Sequence, residues 1–250
     1  MNRKGIALQM YTLREESKKD FAGTLKKVAD LGFDGVELAG YGGLTANELK
    51  NLLKELGLQA ASSHVPLSSI ENELEEVIRY QKELGSAHIV CPVLPRDRHT
   101  QKDYENLIAT LNEAGKRCYE EGITLSYHNH DFELVPFDNG VQPLEKILAE
   151  TNPEWVKAEF DVYWLKKAGE DPVAWLERYQ DRTPLVHLKD MTTDGEQFFA
   201  ELGAGGVDID SIVSHLLSAP VEWWIIEQDQ SRTDPLESIE KSIQYLKKRA

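Results

Sequence analysis

A glycine that closes an amphipathic helix just before a short apolar strand recurs four times in the first half of this chain. "TLKKVADLGFDGVEL" turns at Gly32, "LKNLLKELGLQAASSHV" at Gly57, "VIRYQKELGSAHIVCPV" at Gly85 and "EAGKRCYEEGITLSYHNH" at Gly122. A helix closes through one residue in the left-handed conformation, which glycine adopts without a Cβ clash. Helical periodicity agrees with the punctuation. Phe21, Leu25, Val28 and Ala29 fall on one face, as do Leu236, Ile239, Ile243 and Leu246 near the other end.

The second half continues the alternation with different signals. Strands are expected near Val156–Trp164, Leu185–Lys189 and Glu222–Gln228, and helices near Pro143–Glu150, Pro172–Tyr179, Ile209–Ser218 and Pro235–Lys248. "EDPVAWLERY" and "TDPLESIEKS" offer Asp then Pro, and proline suits the first helical turn because its missing N–H is not needed there. With a first strand at Ile6–Met10, about eight strands alternate with about eight helices. No linker or low-complexity segment divides the 250 residues, so residues 1–250 are expected to form one α/β domain. Eight β-then-α units favour a closed, parallel (β/α)8 TIM barrel. The alternative, a doubly wound open sheet, lacks the glycine-rich phosphate loop usually found after its first strand.

Composition narrows the class of partner. Hydrophobic residues make up 41% and charged residues 28%, as in ordinary water-soluble domains. No apolar run approaches the roughly 18 residues of a membrane span, and "MNRKGIALQMYTLREES" has no secretory pattern. Cys91 and Cys118 form no metal or redox spacing, so a cytoplasmic chain with free thiols is expected. The net charge of -15 opposes nucleic-acid binding, which needs a basic footprint, and slows encounter with anionic ligands. The expected partner is a small molecule, and assembly into a homo-oligomer is compatible with the sequence.

Barrels of this class carry their chemistry at the carboxyl ends of the strands. Strand alternation then decides which side chains enter the lumen. In "ITLSYHNH" it turns Ser126, His128 and His130 inward; in "VKAEFDVYW", Glu159 and Asp161; in "PLVHLKDM", His187 and Lys189; in "VEWWIIEQDQ", Glu227. Earlier strands deliver Glu37 and His64. Charged groups are costly inside a barrel unless paired or metal-bound, and several at one level ask for a common partner. Imidazole and oxygen donors on separate strands suit a borderline divalent ion such as Mn²⁺, Zn²⁺ or Co²⁺. Each residue also has an ordinary structural use, as a hydrogen-bonded histidine or a paired carboxylate.

The segments "GFDGVEL", "SSHVPL", "YHNHDFEL", "EFDVYWLKKAGEDP", "PLVHLKDM" and "WWIIEQD" together resemble the xylose-isomerase-like sugar phosphate isomerase/epimerase family of TIM barrels. That superfamily also holds endonuclease IV, inosose dehydratase, hydroxypyruvate isomerase and ketose 3-epimerases. The resemblance spans the chain and implies one divalent metal ion (Mn²⁺, Zn²⁺, Co²⁺ or Mg²⁺) held by residues of strands five to eight. Carried across, three ligands are Asp161, His187 and Glu227. At strand five much of the superfamily reads Glu-Asn where this chain has His128-Asn129, so the fourth ligand is either His128 or Glu133 reaching back from the next loop. In "ELGAGGVD", Ala204 stands where many relatives carry a loop glutamate.

The resemblance implies metal-assisted proton abstraction beside a carbonyl, through an enediolate. Glu227 is the expected proton-transfer base, with Glu133 or a strand-five histidine opposite. Lys189 would bind a hydroxyl or protonate a leaving oxygen, or else pair with Asp161 or Glu159. His64, His128, Asn129, His130 and Glu37 are expected to contact substrate. Trp164 and Tyr11 could wall the pocket, since sugar rings present apolar C–H faces to aromatics. Epimerase, isomerase and dehydratase outcomes share this chemistry. An endonuclease IV-like metallohydrolase and a sugar-binding barrel without activity are the competing readings. With no phosphate-cradling glycine loop after strands seven and eight, an unphosphorylated sugar or cyclitol is the expected substrate.

Overall fold

The computed structural model describes residues 5–95 and 97–249; the first four residues of the N-terminal stretch discussed above lie outside the described residues. Eight parallel strands close into a barrel: β1 (Gly5–Gln9), β2 (Gly35–Leu38), β3 (Gln59–His64), β4 (His88–Cys91), β5 (Thr124–His128), β6 (Val156–Asp161), β7 (Leu185–Leu188) and β8 (Trp223–Ile226). Each strand pairs with its sequence neighbours, and β8 closes the ring on β1 with Ala7 opposite Ile225. The main helices that follow are α1 (Phe21–Asp30), α2 (Ala46–Leu56), α3 (Leu74–Leu84), α4 (Gln101–Glu120), α5 (Pro143–Glu150), α6 (Pro172–Arg178), α7 (Ile209–Leu216) and α8 (Pro235–Lys247).

The glycine punctuation is used as expected: Gly32, Gly57, Gly85 and Gly122 all have positive φ. The Asp-Pro pairs also act as read, with Asp171 accepting from the N–H of Val173 and Asp234 from that of Leu236. One expected strand is too long. β6 stops at Asp161, and "VYW" opens a short helix, Val162–Lys167, because the Asp161 carboxylate accepts from the backbone N–H groups of Tyr163 and Trp164. That capping turns Trp164 off the sheet.

Two separate cores result. Outward strand residues pack under the helices in one large cluster. Inside the barrel, Ala7, Ala61, Val90, Leu185 and Ile225 form a small apolar layer, with Trp223 packed against it at the amino-terminal end. Gly5 and Gly35 make room for that indole; a Cβ on Gly35 would lie 3.1 Å from it and 2.7 Å from the Gln59 carbonyl oxygen.

Candidate active site

Above the apolar layer the lumen turns polar within one step of each strand. His187 follows Val186 on β7 and stands level with Asp161 on β6 and Ile225 on β8. His128 on β5 stands level with Glu159. Glu159 Oε2 lies 2.8 Å from His64 Nε2, 3.0 Å from His128 Nδ1 and 3.3 Å from His187 Nε2, so three imidazoles from three strands share one carboxylate oxygen. Its other oxygen, Oε1, is buried and meets no hydrogen-bond donor. Below, Glu37 Oε2 contacts His187 Nε2 at 2.6 Å and accepts from Gln9 Nε2, while Ser62 donates to its Oε1. On the other side, His187 Nδ1 lies 2.9 Å from Glu227 Oε2.

Lys189, just beyond β7, is buried with its ammonium 2.6 Å from Glu227, 2.9 Å from Asp161 and 3.1 Å from Asp229. Burial alone would strip its charge, yet these three carboxylates hold the lysine well above its usual range. Burial also opposes the charge on Glu227, but Lys189 and His187 overcome it and keep this carboxylate below its ordinary range. His187 and His64 are likewise desolvated, and Glu159 with Glu37 nevertheless raises both, His64 to about 10. Burial pushes the carboxyls of Asp161 and Glu159 up, and Asp229 up to about 7. The remaining two histidines go the other way. Burial, with nearby imidazoles and Lys189, holds His128 and His130 down, which favours the neutral rings that ligands and hydrogen-bonding groups require.

This donor set fits a divalent cation. His128, Asp161, His187 and Glu227 each offer one ligand atom, and the four lie within 4.8 Å of one another. His64, His128, Glu159 and His187 form a second such group that shares two members with the first. Mixed imidazole and carboxylate donors on rigid strands suit Zn²⁺ or Mn²⁺. The orphaned Glu159 Oε1 marks a carboxylate whose charge the protein does not fully satisfy.

A cavity of about 920 Å³ opens above this floor. His64, His128, His130, Lys189, Glu227 and Asp229 line its deep end, and Tyr11, Trp164 and Phe199 stand among its walls. The antiparallel ribbon of Asp190–Met191 with Phe199–Ala200 brings Phe199 over the site, where it stacks on Tyr163. The "ELGAGGVD" loop docks on Asp190, whose carboxylate accepts from the N–H groups of Gly203, Gly205 and Val207.

Several expectations change. Glu133 does not join the ligands. It is buried beside outward-facing Tyr127, accepts from the Tyr127 hydroxyl at 2.7 Å and the His130 N–H at 2.8 Å, and so fixes the turn that follows β5. The structure brings His128 to the cluster instead. Glu37 lies under the histidines and does not line the cavity. Asn129 is also buried and does not line the cavity; its Oδ1 accepts from the Asp161 N–H, tying the ends of β5 and β6 together. His64, expected to contact substrate, lines the cavity and also reaches across the lumen into one of the two groups. Lys189 pairs with Asp161 as read, but with Glu227 and Asp229 and not with Glu159. The sequence reading gives Glu159 only that pairing with Lys189, and Asp229 no role. Glu159 was already turned inward by alternation, and Asp229 sits two residues beyond Glu227, where the same parity would have found it.

A parallel barrel with imidazoles and carboxylates gathered at the carboxyl ends of β3 and β5–β8 defines a class in which one scaffold serves many small-molecule reactions. The chain belongs to the xylose isomerase-like TIM barrel family, whose pattern it matches over residues 25–249. An inosose dehydratase of Mesomycoplasma hyopneumoniae (strain 7448) is 28% identical over 269 residues, covering 91% of this chain and 88% of that protein. The crystal structure of a sugar phosphate isomerase/epimerase from Parabacteroides distasonis superposes with a TM-score of 0.83 at 25% identity over 98% of both chains. A probable 3-DHS dehydratase from Bacillus anthracis shares the fold, with a TM-score of 0.80 at 14% identity, over 98% of this chain and 100% of that one.

Proposed function

We propose that this chain is an enzyme that removes the proton beside the carbonyl of a polyhydroxylated ketone, a sugar or cyclitol, and then expels a neighbouring hydroxyl as water. The observation that carries this reading is the 2.6 Å contact between Lys189 Nζ and Glu227 Oε2 on the cavity floor. One member is a carboxylate held charged, the other an ammonium held charged. A substrate above them meets a base and an acid together.

Glu227 accepts the proton from the carbon beside the carbonyl. Lys189 donates a proton to the departing hydroxyl, which leaves as water. The proton on Glu227 then passes across the short contact to Lys189, and both groups return to their starting states. Asp161 and Asp229 keep the lysine charged between turnovers. His64 and His130 line the floor and are placed to hydrogen-bond hydroxyls, while Trp164 packs on the apolar face of the ring. His128, Asp161, His187 and Glu227 would hold a divalent ion, which when bound polarises the carbonyl and stabilises the charge that develops on its oxygen.

The dehydratase outcome is supported by the relatives that share about nine-tenths of the chain. A second outcome, epimerisation or isomerisation, uses the same proton abstraction and is supported by the likeness to the Parabacteroides protein. The test is a panel of ketoses and inososes in deuterium oxide. Expected are solvent deuterium at the carbon beside the carbonyl of recovered or epimerised ketone and, for dehydration, an absorbing enone. Glu227→Gln should abolish the exchange; full exchange in that variant would sink the proposal. Mass spectrometry of the native protein tests the ion: stoichiometric metal retained after Asp161→Asn with His187→Asn would overturn the ligand set.

A further inference from the structure

The cavity continues past the floor. Besides Lys189, Glu227 and His64, its lining includes Pro66, Tyr41, Tyr80 and Val77, which form an apolar compartment for a ligand, and the exposed Glu73 and Glu76. The two tyrosine rings stack at 4.1 Å with 22° between their planes. Each is fixed from behind. Gln81 Nε2 donates to the Tyr41 hydroxyl at 2.8 Å, and the Tyr80 hydroxyl donates to the Leu44 carbonyl at 2.9 Å. The wall is therefore rigid and apolar on its open side, suited to the C–H face of a ring.

Size and charge say what fits. At about 920 Å³ the cavity is near the top of the range of roughly 300–1,000 Å³ that encloses drug-sized ligands. One sugar ring occupies only the deep end. Glu73 and Glu76 are exposed acceptors for hydroxyls; Glu76 is offset by Arg79 at 3.5 Å, and Glu73 adds negative charge that opposes an anion. Arg14, a cation on the cavity wall beside Tyr11, is partly engaged: it stacks on the Tyr11 ring and its Nη1 donates to the backbone carbonyls of Tyr11 and Asp229.

We propose that this compartment binds a second, uncharged, hydroxylated ring joined to the ring that reacts. The substrate class is then a glycosylated or similarly two-ring polyol ketone, neither a free monosaccharide nor a phosphate ester. The proposal rests on the floor being the reacting end, as argued above.

Calorimetric titration of the full chain with three probes decides it: a free ketohexose, a set of ketodisaccharides containing that ketohexose through different linkages, and the ketohexose phosphate. At least one ketodisaccharide should bind tenfold or more tightly than the ketohexose, and the phosphate more weakly. Val77→Trp, which fills the compartment, should bring the disaccharide-to-monosaccharide ratio close to one. A set in which no ketodisaccharide binds better than the ketohexose overturns the proposal, as does a ratio unchanged in Val77→Trp. The binding ratio needs no turnover. A second-ring preference without deuterium exchange refutes the reaction and leaves the compartment standing; exchange into the ketohexose without that preference refutes the compartment alone.

Discussion

The two ends of the barrel lumen are built from the same eight strands and obey opposite rules. At the amino-terminal end Ala7, Ala61, Val90, Leu185 and Ile225 close over Trp223 with no titratable side chain among them. At the other end Glu37, Glu159, Asp161, Glu227 and Asp229 surround Lys189 and the imidazoles of His64, His128 and His187. The apolar end stabilises the fold through dispersion and released water. The polar end holds charge out of water, and each group there is tolerable only because its neighbours are present. β7 runs through both, from Leu185 in the apolar layer to His187 in the polar one, so substitutions on and just past this strand separate the two roles.

Lys189→Met should give the largest effect. It leaves Asp161, Glu227 and Asp229 facing one another without their shared cation, and breaking a buried pair in this way costs about 3–5 kcal/mol. Urea unfolding in the presence of a chelator should show that loss, and turnover, assayed separately without chelator, should disappear. Unchanged stability would mean that water already screens the three carboxylates and that the polar end is less enclosed than its burial indicates.

Leu185→Ala tests the apolar end of the same strand. Removing a fully buried leucine costs about 2–5 kcal/mol, depending on how far the layer collapses. The urea midpoint should fall while deuterium exchange per folded molecule stays close to that of the unaltered chain. Lost exchange at full stability would show that the layers are mechanically coupled and would break the comparison.

How far the sequence announced this division depends on which residue is asked about. Parity along a strand is a local property, so it correctly turned Asp161, His187, Lys189 and Glu227 inward. It also turned Glu37 inward, but parity carries no information about depth, and Glu37 lies beneath the histidines instead of facing the cavity. Trp164 was drawn into a strand because the apolar run continues through "FDVYW"; the capping of a helix by Asp161, itself a proposed ligand, is a tertiary fact that periodicity does not encode. Glu133 was misplaced for a similar reason. It lies in the turn after β5, where alternation no longer holds, and outward-facing Tyr127 captures it.

Glu133→Gln sharpens that last point and should cost the fold least of the three substitutions, being close to neutral near pH 4 and stabilising at neutral pH. Burial raises the Glu133 carboxyl from 4.5 to about 7, so between those values the folded chain holds a proton that the unfolded chain has lost. Stability from this group is therefore complete below pH 4.5 and is lost as pH rises through about 7, a change of about 3 kcal/mol across the window. Glutamine matches the protonated form, its amide N–H facing the Tyr127 hydroxyl and its oxygen accepting from the His130 N–H. The difference between the two unfolding free energies, plotted from pH 4 to 8, should accordingly slope in favour of the variant as pH rises. Turnover should stay within a few-fold, because the variant still fixes the turn that carries His130. A hundredfold loss, of the size that removing a general acid or base produces, would return Glu133 to the proton-transfer machinery.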